Sequence, residues 1–586
     1  MIGELQQAME HHRAGRLEEA GRLYRRVLAV EPAQADALHF LGLVEHQSGR
    51  HAAAIPLLEA AIRARGDRPR YYCNLGVVLL EQQRPEAAAE ALEAALTRRP
   101  DYADAHYNLG LVRKLQLRLD DAAQCFRRAL EIVPAHAQAL GELGDVLRLT
   151  GKTDDALAAY SRSLAIDPQR ATVLLAAADL ARETGDLDRA AALYERVLVI
   201  EPKDAAALTG LGAVIRRRGN ADGALDYLAR ALALDPTHAA AHRQRGFAFR
   251  DLGRLAESAE AFLTGTRLLR APGSVPAQRL FTFSRTSRAK LEHDREQLEY
   301  LVGRGRITDT DGTMLDTVGR LLEILPLGTD AGRLVDMPLE TERRLHGFYN
   351  RLLYVADAPR LDGPAVNPSL DTAAIESDYA ARGPGITWID GLLTAPALSS
   401  LRNYCLESTL WFDFTHANGY LGAYMEDGFC CPLLMQIAEE LPRALPGIFG
   451  RHRLVQLWAY KYDSRLSGID MHADSAAINV NFWITPSDAN LDPASGGLVV
   501  WDKEAPADWS SKRYNSSELD DQAAIRGFLE SSEAASVRVP HRQNRAVIFN
   551  SDLFHRTDDV RFREGYENRR INVTLLYGRR LEDSSR

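Results

Sequence analysis

Cysteine is scarce: five residues in a chain of 586, an odd number without metal-ligand spacing. That excludes a disulfide scaffold and a cysteine-based zinc module, and it suits a reducing cytoplasm. The adjacent pair Cys430 and Cys431 cannot readily bridge each other and reads as packing. No apolar run approaches the length that spans a membrane, so no membrane partner is expected. The opening stretch, MIGELQQAMEHHRAGRLEEA, lacks a basic start followed by an apolar core, and no secretory signal is expected. Positive charge in excess is missing too, since 71 Lys and Arg stand against 80 Asp and Glu. A nucleic-acid partner, which draws on a basic face, is therefore not expected. What remains is an ordinary globular composition, 46% hydrophobic and 26% charged, in a chain too long for one core. Two or three domains are expected.

The first half repeats itself. Pro32, Pro100, Pro134, Pro168, Pro202 and Pro236 are spaced by 34 residues, or by twice that where Gly66 stands in. Gly42, Gly76, Gly110, Gly144, Gly212 and Gly246 keep the same step, with Ala178 in the gap. A third register runs from Ala20 through Ala54 and Ala88 to Ala224, then Ser258. Each unit reads as two amphipathic helices joined by a turn, often at a glycine such as Gly15 or Gly49. Small residues let the helices approach closely, and the proline stops the second helix. The period and its small-residue pattern resemble the tetratricopeptide repeat, or TPR, with about eight units over residues 3–270. The resemblance implies an all-α superhelix over 1–270 whose groove takes a peptide or protein. In some TPR proteins, asparagines two positions before the recurring glycine bond a peptide backbone. Asn74 and Asn108 stand there, but Phe40, Glu142 and Gln244 occupy the same place in other units. Ordinary polar groove residues are the competing reading.

Residues 271–385 open with APGSVPAQ, a linker-like stretch, and continue with helical patterns such as RAKLEHDREQLEYLVGRG. They read as a helical connector without chemistry. From about Gly385 the texture changes to short runs of β-branched and aromatic residues: ITWID, LVQLWAYKY, INVNFWIT, GGLVVW, RAVIFN and RINVTLLYG. Turn-forming residues separate them, which predicts a β barrel or sandwich over 386–586 with helices at its start. The fold class expected is thus multidomain α + β.

Of sixteen histidines, only His472 is followed two residues later by an acid, Asp474. On a strand, such residues point to one face. His555 follows the apolar run AVIFNSDLF. Two imidazoles and a carboxylate on one face of an iron ion leave three positions open. Alone, His472 bonded to Asp474 is a common structural arrangement. The order favours the metal: the pair, the distal histidine, then Arg570 in NRRINVTLLYG. Two other groupings read as solvated repeat residues, namely His238 with His242, which lack a third ligand, and Arg216 to Arg218.

With those residues in that order, the stretch from about 386 to 580 resembles the prolyl-hydroxylase-like branch of the Fe(II)/2-oxoglutarate-dependent dioxygenases. The resemblance implies a double-stranded β-helix, or jelly roll. It implies Fe(II) on His472, Asp474 and His555, and an arginine pairing with the far carboxylate of 2-oxoglutarate. Arg570, Thr574 and Tyr577 reproduce the family's Arg-x-x-x-Thr-x-x-Tyr pattern. A planar guanidinium suits a carboxylate, and Arg569 would point to the other face. Asn572 and Thr574 share the face of Arg570 and could bond the same carboxylate. Tyr462 is expected against the co-substrate, with Asn481 and Trp483 facing the pocket. Two departures stand out. The glycine that often follows the upstream tyrosine is absent from YDSRLSG. A long polar insertion, WSSKRYNSSELDDQAAIRGFLESSEA, separates Asp474 from His555. The resemblance implies that dioxygen and 2-oxoglutarate are consumed, giving succinate, carbon dioxide and a hydroxylated product. Three functions are open: a hydroxylase of a protein or peptide recruited by the repeats, an oxygenase of a small molecule, or an inactive scaffold. The complete triad and Arg570 argue against the third.

Overall fold

A computed structural model describes residues 2–272, 281–325, 332–416, 418–463 and 468–579. Most of the APGSVPAQ linker and the middle of the YDSRLSG stretch lie outside the described residues.

Sixteen helices come first, in eight consecutive pairs: α1 (Ile2–Arg13) with α2 (Leu17–Val30), α3 (Ala35–Gln47) with α4 (His51–Ala64), α5 (Pro69–Glu81) with α6 (Pro85–Arg98), α7 (Ala103–Leu115) with α8 (Leu119–Ile132), α9 (Ala137–Leu149) with α10 (Thr153–Ile166), α11 (Ala171–Thr184) with α12 (Leu187–Ile200), α13 (Ala205–Arg217) with α14 (Ala221–Leu234), and α15 (Ala239–Asp251) with α16 (Leu255–Arg270). The recurring glycine lies where the two helices of a pair touch. A Cβ on Gly110 would come within 2.6 Å of the Phe126 ring, and one on Gly246 within 2.6 Å of Phe262. Turn glycines such as Gly15, Gly49 and Gly151 have φ near +70°, which a side chain resists. Gln83 and Leu117 adopt the same left-handed conformation in the two pairs that lack the glycine.

The chain falls into two compact units, Met1–Val214 and Ile215–Arg586. The repeats run to α16, ending at Arg270, while α14, α15 and α16 belong with the second unit. Leu255, Ala259 and Phe262 share one buried cluster with Leu406, Leu410 and Phe429. The Cys430 Sγ donates to the Ala259 carbonyl at 3.4 Å, so that cysteine is indeed a packing residue. Between the last repeat and the sheets lie the helices Arg288–Gly303 and Thr313–Ile324. The connector is not purely helical, since β1 (Arg285–Thr286) pairs antiparallel with β2 (Val335–Asp336).

Nine further strands follow: β3 (Ile386–Asp390), β4 (Leu421–Tyr424), β5 (Leu454–Tyr462), β6 (Ile478–Trp483), β7 (Leu498–Glu504), β8 (Ser536–Val539), β9 (Arg545–Asn550), β10 (Leu553–Thr557) and β11 (Arg570–Tyr577). They form an antiparallel six-stranded sheet, β3-β9-β6-β11-β5-β4, and an antiparallel three-stranded sheet, β10-β7-β8. Trp483, Val547 and Phe549 of the larger sheet share a buried cluster with Leu498, Val500, Val539 and Leu553 of the smaller. The other face of the larger sheet, with Leu457, Val480, Val573 and Leu575, is buried with the helices Ala395–Glu407 and Pro432–Ala444. The six runs read as strands are β3, β5, β6, β7, β9 and β11. The polar insertion folds into short helices, Ser511–Tyr514 and Leu519–Ser531.

Candidate metal and carboxylate site

Strand register builds the site. β11 lies between β5 and β6, so Arg570 faces Tyr462, Asn572 faces Tyr460 and Trp483, and Thr574 faces Trp458 and Asn481. Alternate residues on three neighbouring strands thus put polar and aromatic groups on one face and Ile571, Val573 and Leu575 on the other. That face lines a narrow cavity of about 20 Å³, closed off by His472, Asp474, His555, Ile469, Leu498 and Thr557.

His472 and Asp474 do not sit on a regular strand, as expected from their spacing, but on the irregular segment leading into β6. Backbone hydrogen bonds still fix them. His472 forms an isolated antiparallel bridge with His555 on β10, exchanging N–H···O bonds of 2.9 and 2.8 Å. The Asp474 N–H donates to Ser551 O at 3.1 Å. The His472 Nδ1 lies 2.8 Å from Asp470 O, and the His555 Nδ1 lies 3.0 Å from Leu553 O. A carbonyl only accepts, so each Nδ1 carries a hydrogen and each Nε2 is the ring atom turned toward Asp474 and a metal. His555 Nε2 is 3.5 Å from Asp474 Oδ2, and one ligand atom from each of the three residues lies within 4.8 Å of the others. Burial, reinforced by His555, pushes His472 down to about 4 against the pull of Asp474. Burial raises Asp474, but His555, His472 and Asn479 hold it below the usual carboxylate range. Near neutral pH the site therefore offers a neutral His472 imidazole and an ionised carboxylate.

Arg570 stands at the inner end. Its Nε donates to Gly496 O at 2.6 Å, its Nη2 to Gly497 O at 3.1 Å, and its Nη1 to Asn572 Oδ1 at 3.4 Å. The Tyr462 ring lies under the guanidinium, with its centroid at 4.6 Å. Gly497 has to be glycine, because a Cβ there would collide with the Val539 carbonyl. Arg570 is 1% exposed and makes no ion pair among the described residues. Burial lowers its pKa, with Tyr462 and then the Asp558 carboxylate opposing. Arg569 points the other way, to Glu296 at 2.6 Å and Asp463 at 3.3 Å.

The two ends are joined by amides. Asn572 Nδ2 donates to Asn481 Oδ1 at 3.0 Å, Asn481 Nδ2 to Asn479 Oδ1 at 2.6 Å, and Asn479 Nδ2 to Asp474 Oδ2 at 2.7 Å. Thr574 Oγ1 joins the same chain at Asn481 Oδ1, 2.8 Å away. Asn479 escaped the sequence reading. Its signal is the pair of asparagines at alternate positions in the otherwise apolar INVNFW.

A second, larger cavity of about 480 Å³ opens outward from the same histidine and aspartate. Its walls are His416, Tyr420, Tyr424 and Tyr460 on one side and Asn515 to Ser517 of the insertion on the other. His416 stacks on Tyr420 at 4.0 Å, and the Tyr424 and Tyr460 hydroxyls meet at 3.0 Å. Burial raises the pKa of all three tyrosines, which keeps them neutral. The alternation Trp458, Tyr460, Tyr462 in LVQLWAYKY was the available clue to this wall.

The structure thus brings together His472, Asp474, His555, Arg570, Tyr462, Asn572, Thr574 and Asn481. Trp483 packs between the sheets and lies outside the cavity lining. Tyr462 bears on Arg570. Two minor expectations hold only in part. Arg217 and Arg218 are exposed, but Arg216 is largely covered by its pairing with Asp251 at 2.7 Å, and His242 is buried, with its Nε2 bonded to Pro236 O at 2.9 Å. Asn74 and Asn108 are partly exposed. Asn74 bonds His39 Nε2 at 2.8 Å, and Asn108 bonds the Asp104 carbonyl of its own helix.

Tetratricopeptide repeat models match residues 73–132, 116–171, 175–239 and 216–268, and a second such model matches 33–101. Residues 33–268 therefore carry TPR repeats, and such repeats generally bind protein or peptide partners. No curated protein matches the chain. Among solved structures, PilF of Pseudomonas aeruginosa is similar at 24% identity and a TM-score of 0.33, covering 35% of this chain and 94% of its own. YrrB, described as a TPR protein with an unusual peptide-binding site, is 23% identical, covers 31% and 95%, and has a TM-score of 0.29. MamA of Desulfovibrio magneticus RS-1 is 18% identical, covers 29% and 96%, and has a TM-score of 0.28. Among the described residues, no helix is long and apolar enough to cross a membrane.

Proposed function

We propose that the two sheets form a double-stranded β-helix of the Fe(II)- and 2-oxoglutarate-dependent oxygenase type, acting on a protein or peptide that the TPR repeats recruit. One observation carries this reading. A buried guanidinium that makes no ion pair among the described residues closes one end of a cavity whose other end holds two imidazoles and a carboxylate. An unpaired buried cation is costly, and an anionic ligand in the cavity removes that cost. The donor set fits Fe(II), for which two histidines and one carboxylate on one face are the usual protein ligands.

His472 Nε2, His555 Nε2 and Asp474 would hold the metal, and the bridge between the two histidines sets their spacing before any ion arrives. Arg570 binds the far carboxylate of 2-oxoglutarate, and Asn572 and Thr574 border the same space. The Tyr462 ring and the Gly496 and Gly497 carbonyls hold Arg570 in place. The amide chain through Asn481 and Asn479 orients Asp474 from the co-substrate end. Iron bound there would couple oxidative decarboxylation of 2-oxoglutarate to succinate and carbon dioxide with insertion of one oxygen atom into a substrate C–H bond. The neutral tyrosines of the outer cavity present substrate to that face and limit access of water.

The outer cavity opens to solvent between a tyrosine wall and the 515–517 segment, an open mouth that suits a polypeptide substrate. All five cysteines are free, in keeping with a cytoplasmic protein. The test is succinate formation from 2-oxoglutarate by the Fe(II)-loaded full chain, beside the Asp474→Ala and His555→Ala chains. Succinate should appear with the first and vanish with both variants. Equal formation in all three would end the proposal.

A further inference from the structure

We propose that His46, His51 and Glu81 form a second metal site, in the repeat unit, for a divalent transition cation of the zinc class. His46 lies in the last turn of α3, and His51 is the first residue of α4. The turn between them is held by Gly49 at φ +76° and by the Arg50 N–H bond to Glu45 O at 2.8 Å. That turn brings the two Nδ1 atoms to 2.9 Å. Glu81 ends α5, in the following repeat, and its Oε2 lies 3.6 Å from His46 Nδ1 and 3.8 Å from His51 Nδ1. All three ligand atoms lie within 4.8 Å of one another.

Those separations bracket what one ion would impose. Bonds of about 2.0–2.1 Å in tetrahedral geometry put two ligand atoms about 3.3 Å apart. Shifts of a few tenths of an ångström would complete the set. Without the ion, two imidazole nitrogens can face each other at hydrogen-bond distance only if one keeps its proton and the other accepts it. The ion takes the place of that proton: the donor ring moves its hydrogen from Nδ1 to Nε2 by exchange with solvent, so both rings carry their hydrogen on Nε2 and present a bare Nδ1. Two neutral imidazoles and a carboxylate form a zinc donor set with an open fourth position for water or a partner's side chain.

Repeat packing does not account for these residues. At the same register in other units, the place of His46 is taken by His12, Leu80, Lys114, Arg148, Arg182 and Arg216, and the place of His51 by Leu17, Pro85, Leu119, Thr153, Leu187, Ala221 and Leu255. The second and third repeats alone put imidazole, imidazole and carboxylate at these three places. An ion there would clamp α3 and α4 to α5, so its binding energy would act on the joint between two repeats.

The test is a zinc titration of the full-length chain against a chromophoric chelator. It is run in the Asp474→Ala background, which removes one ligand of the triad site. His46→Gln with His51→Gln should bind one equivalent fewer than its parent. Glu81→Gln should weaken that equivalent by roughly tenfold or more. Zinc should also slow amide exchange in α3, α4 and α5 of the parent and leave it unchanged in the double variant. Equal stoichiometry with undiminished affinity, or no effect of zinc on exchange, would overturn the site. Should the double variant fail to fold, Glu81→Gln decides: a weakened equivalent supports the site, and an unchanged one overturns it.

Discussion

The two compact units handle buried polarity in opposite ways. Among the described residues of the first unit, the fully buried polar side chains are His39, Glu45, Ser163 and Thr209. The rest of its core is alanine, leucine, valine and tyrosine supplied at a fixed period. The second unit buries Arg570, Asp474, His555, Lys461, His541 and a row of asparagines. Burying such groups is unfavourable unless each finds a partner. The second unit gathers Arg570, Asn572, Thr574 and Asn481 on one sheet face and pairs them there, whereas the repeats bury mostly apolar side chains. The contacts differ as well. Each repeat is closed by residues near in sequence, such as Gly110 against Phe126. The site joins strands more than a hundred residues apart, such as β5 and β11.

The sharpest way to break this comparison is to cut the chain. A fragment starting at residue 271 loses α15 and α16, and with them Phe262 and Leu255 from the core beneath the sheets. It should not fold. A fragment starting at Ala205 keeps them and should show cooperative melting and succinate formation. Equal solubility and melting of the two would show that the last repeat is dispensable.

Next in size is the inner arginine. Arg570→Ala should raise the 2-oxoglutarate concentration needed for half-maximal succinate formation by about 2–5 kcal/mol in binding terms. Arg569→Ala breaks the pairs with Glu296 and Asp463, so it should lower the melting temperature while leaving the co-substrate requirement nearly unchanged. Co-substrate titrations and thermal melts on both variants check the ranking.

A smaller effect is expected inside the repeats. Gly110→Ala sets a methyl against the Phe126 ring and should destabilise the first unit by about 1–3 kcal/mol. Amide exchange should quicken in α7 and α8, and succinate formation by the second unit should not change.

The smallest concerns acid. Burial pushes His541 down to about 3 and His293 well below its ordinary value in the second unit, and His39 down to about 3 in the first. Below about pH 6.5 the unfolded chain takes up protons that these folded histidines refuse, so stability falls as pH drops toward their folded pKa values. Each contributes roughly 1 kcal/mol per pH unit within that window. The second unit should therefore lose more than the first between pH 6 and pH 5, an effect that His472 enlarges in the metal-free chain. Unit-resolved hydrogen exchange at the two pH values measures the difference.

Much of this was legible because it is periodic. A 34-residue step names the helix pairs, and apolar alternation names β5, β6 and β11. His472, Asp474, His555 and Arg570 announce themselves by type and order. What sequence could not supply is pairing between distant strands. Nothing in INVNFW says that Asn479 will meet Asp474, because that bond depends on an irregular segment anchored by Ser551. Lys461 alternates with Tyr460 and Tyr462 as a surface residue would. It is instead buried, its Nζ donating to Cys405 O and the Tyr566 hydroxyl, because helices cover that face of β5. The split at Val214 was equally hidden, since α16 carries the same small-residue register as its predecessors while burying its side chains with a different fold.

The position of α16 also bears on how such a chain can change over generations. Repeat arrays grow and shrink when whole 34-residue units are duplicated or lost, and an internal unit is exchanged easily because its neighbours resemble it. The last pair has no such freedom. Phe262 fills the space left by Gly246 and also belongs to the core beneath the sheets, while Ala259 receives the thiol of Cys430. Recombination can therefore alter the upstream units, and with them the surface they display, while the terminal pair is inherited together with the two sheets as one piece.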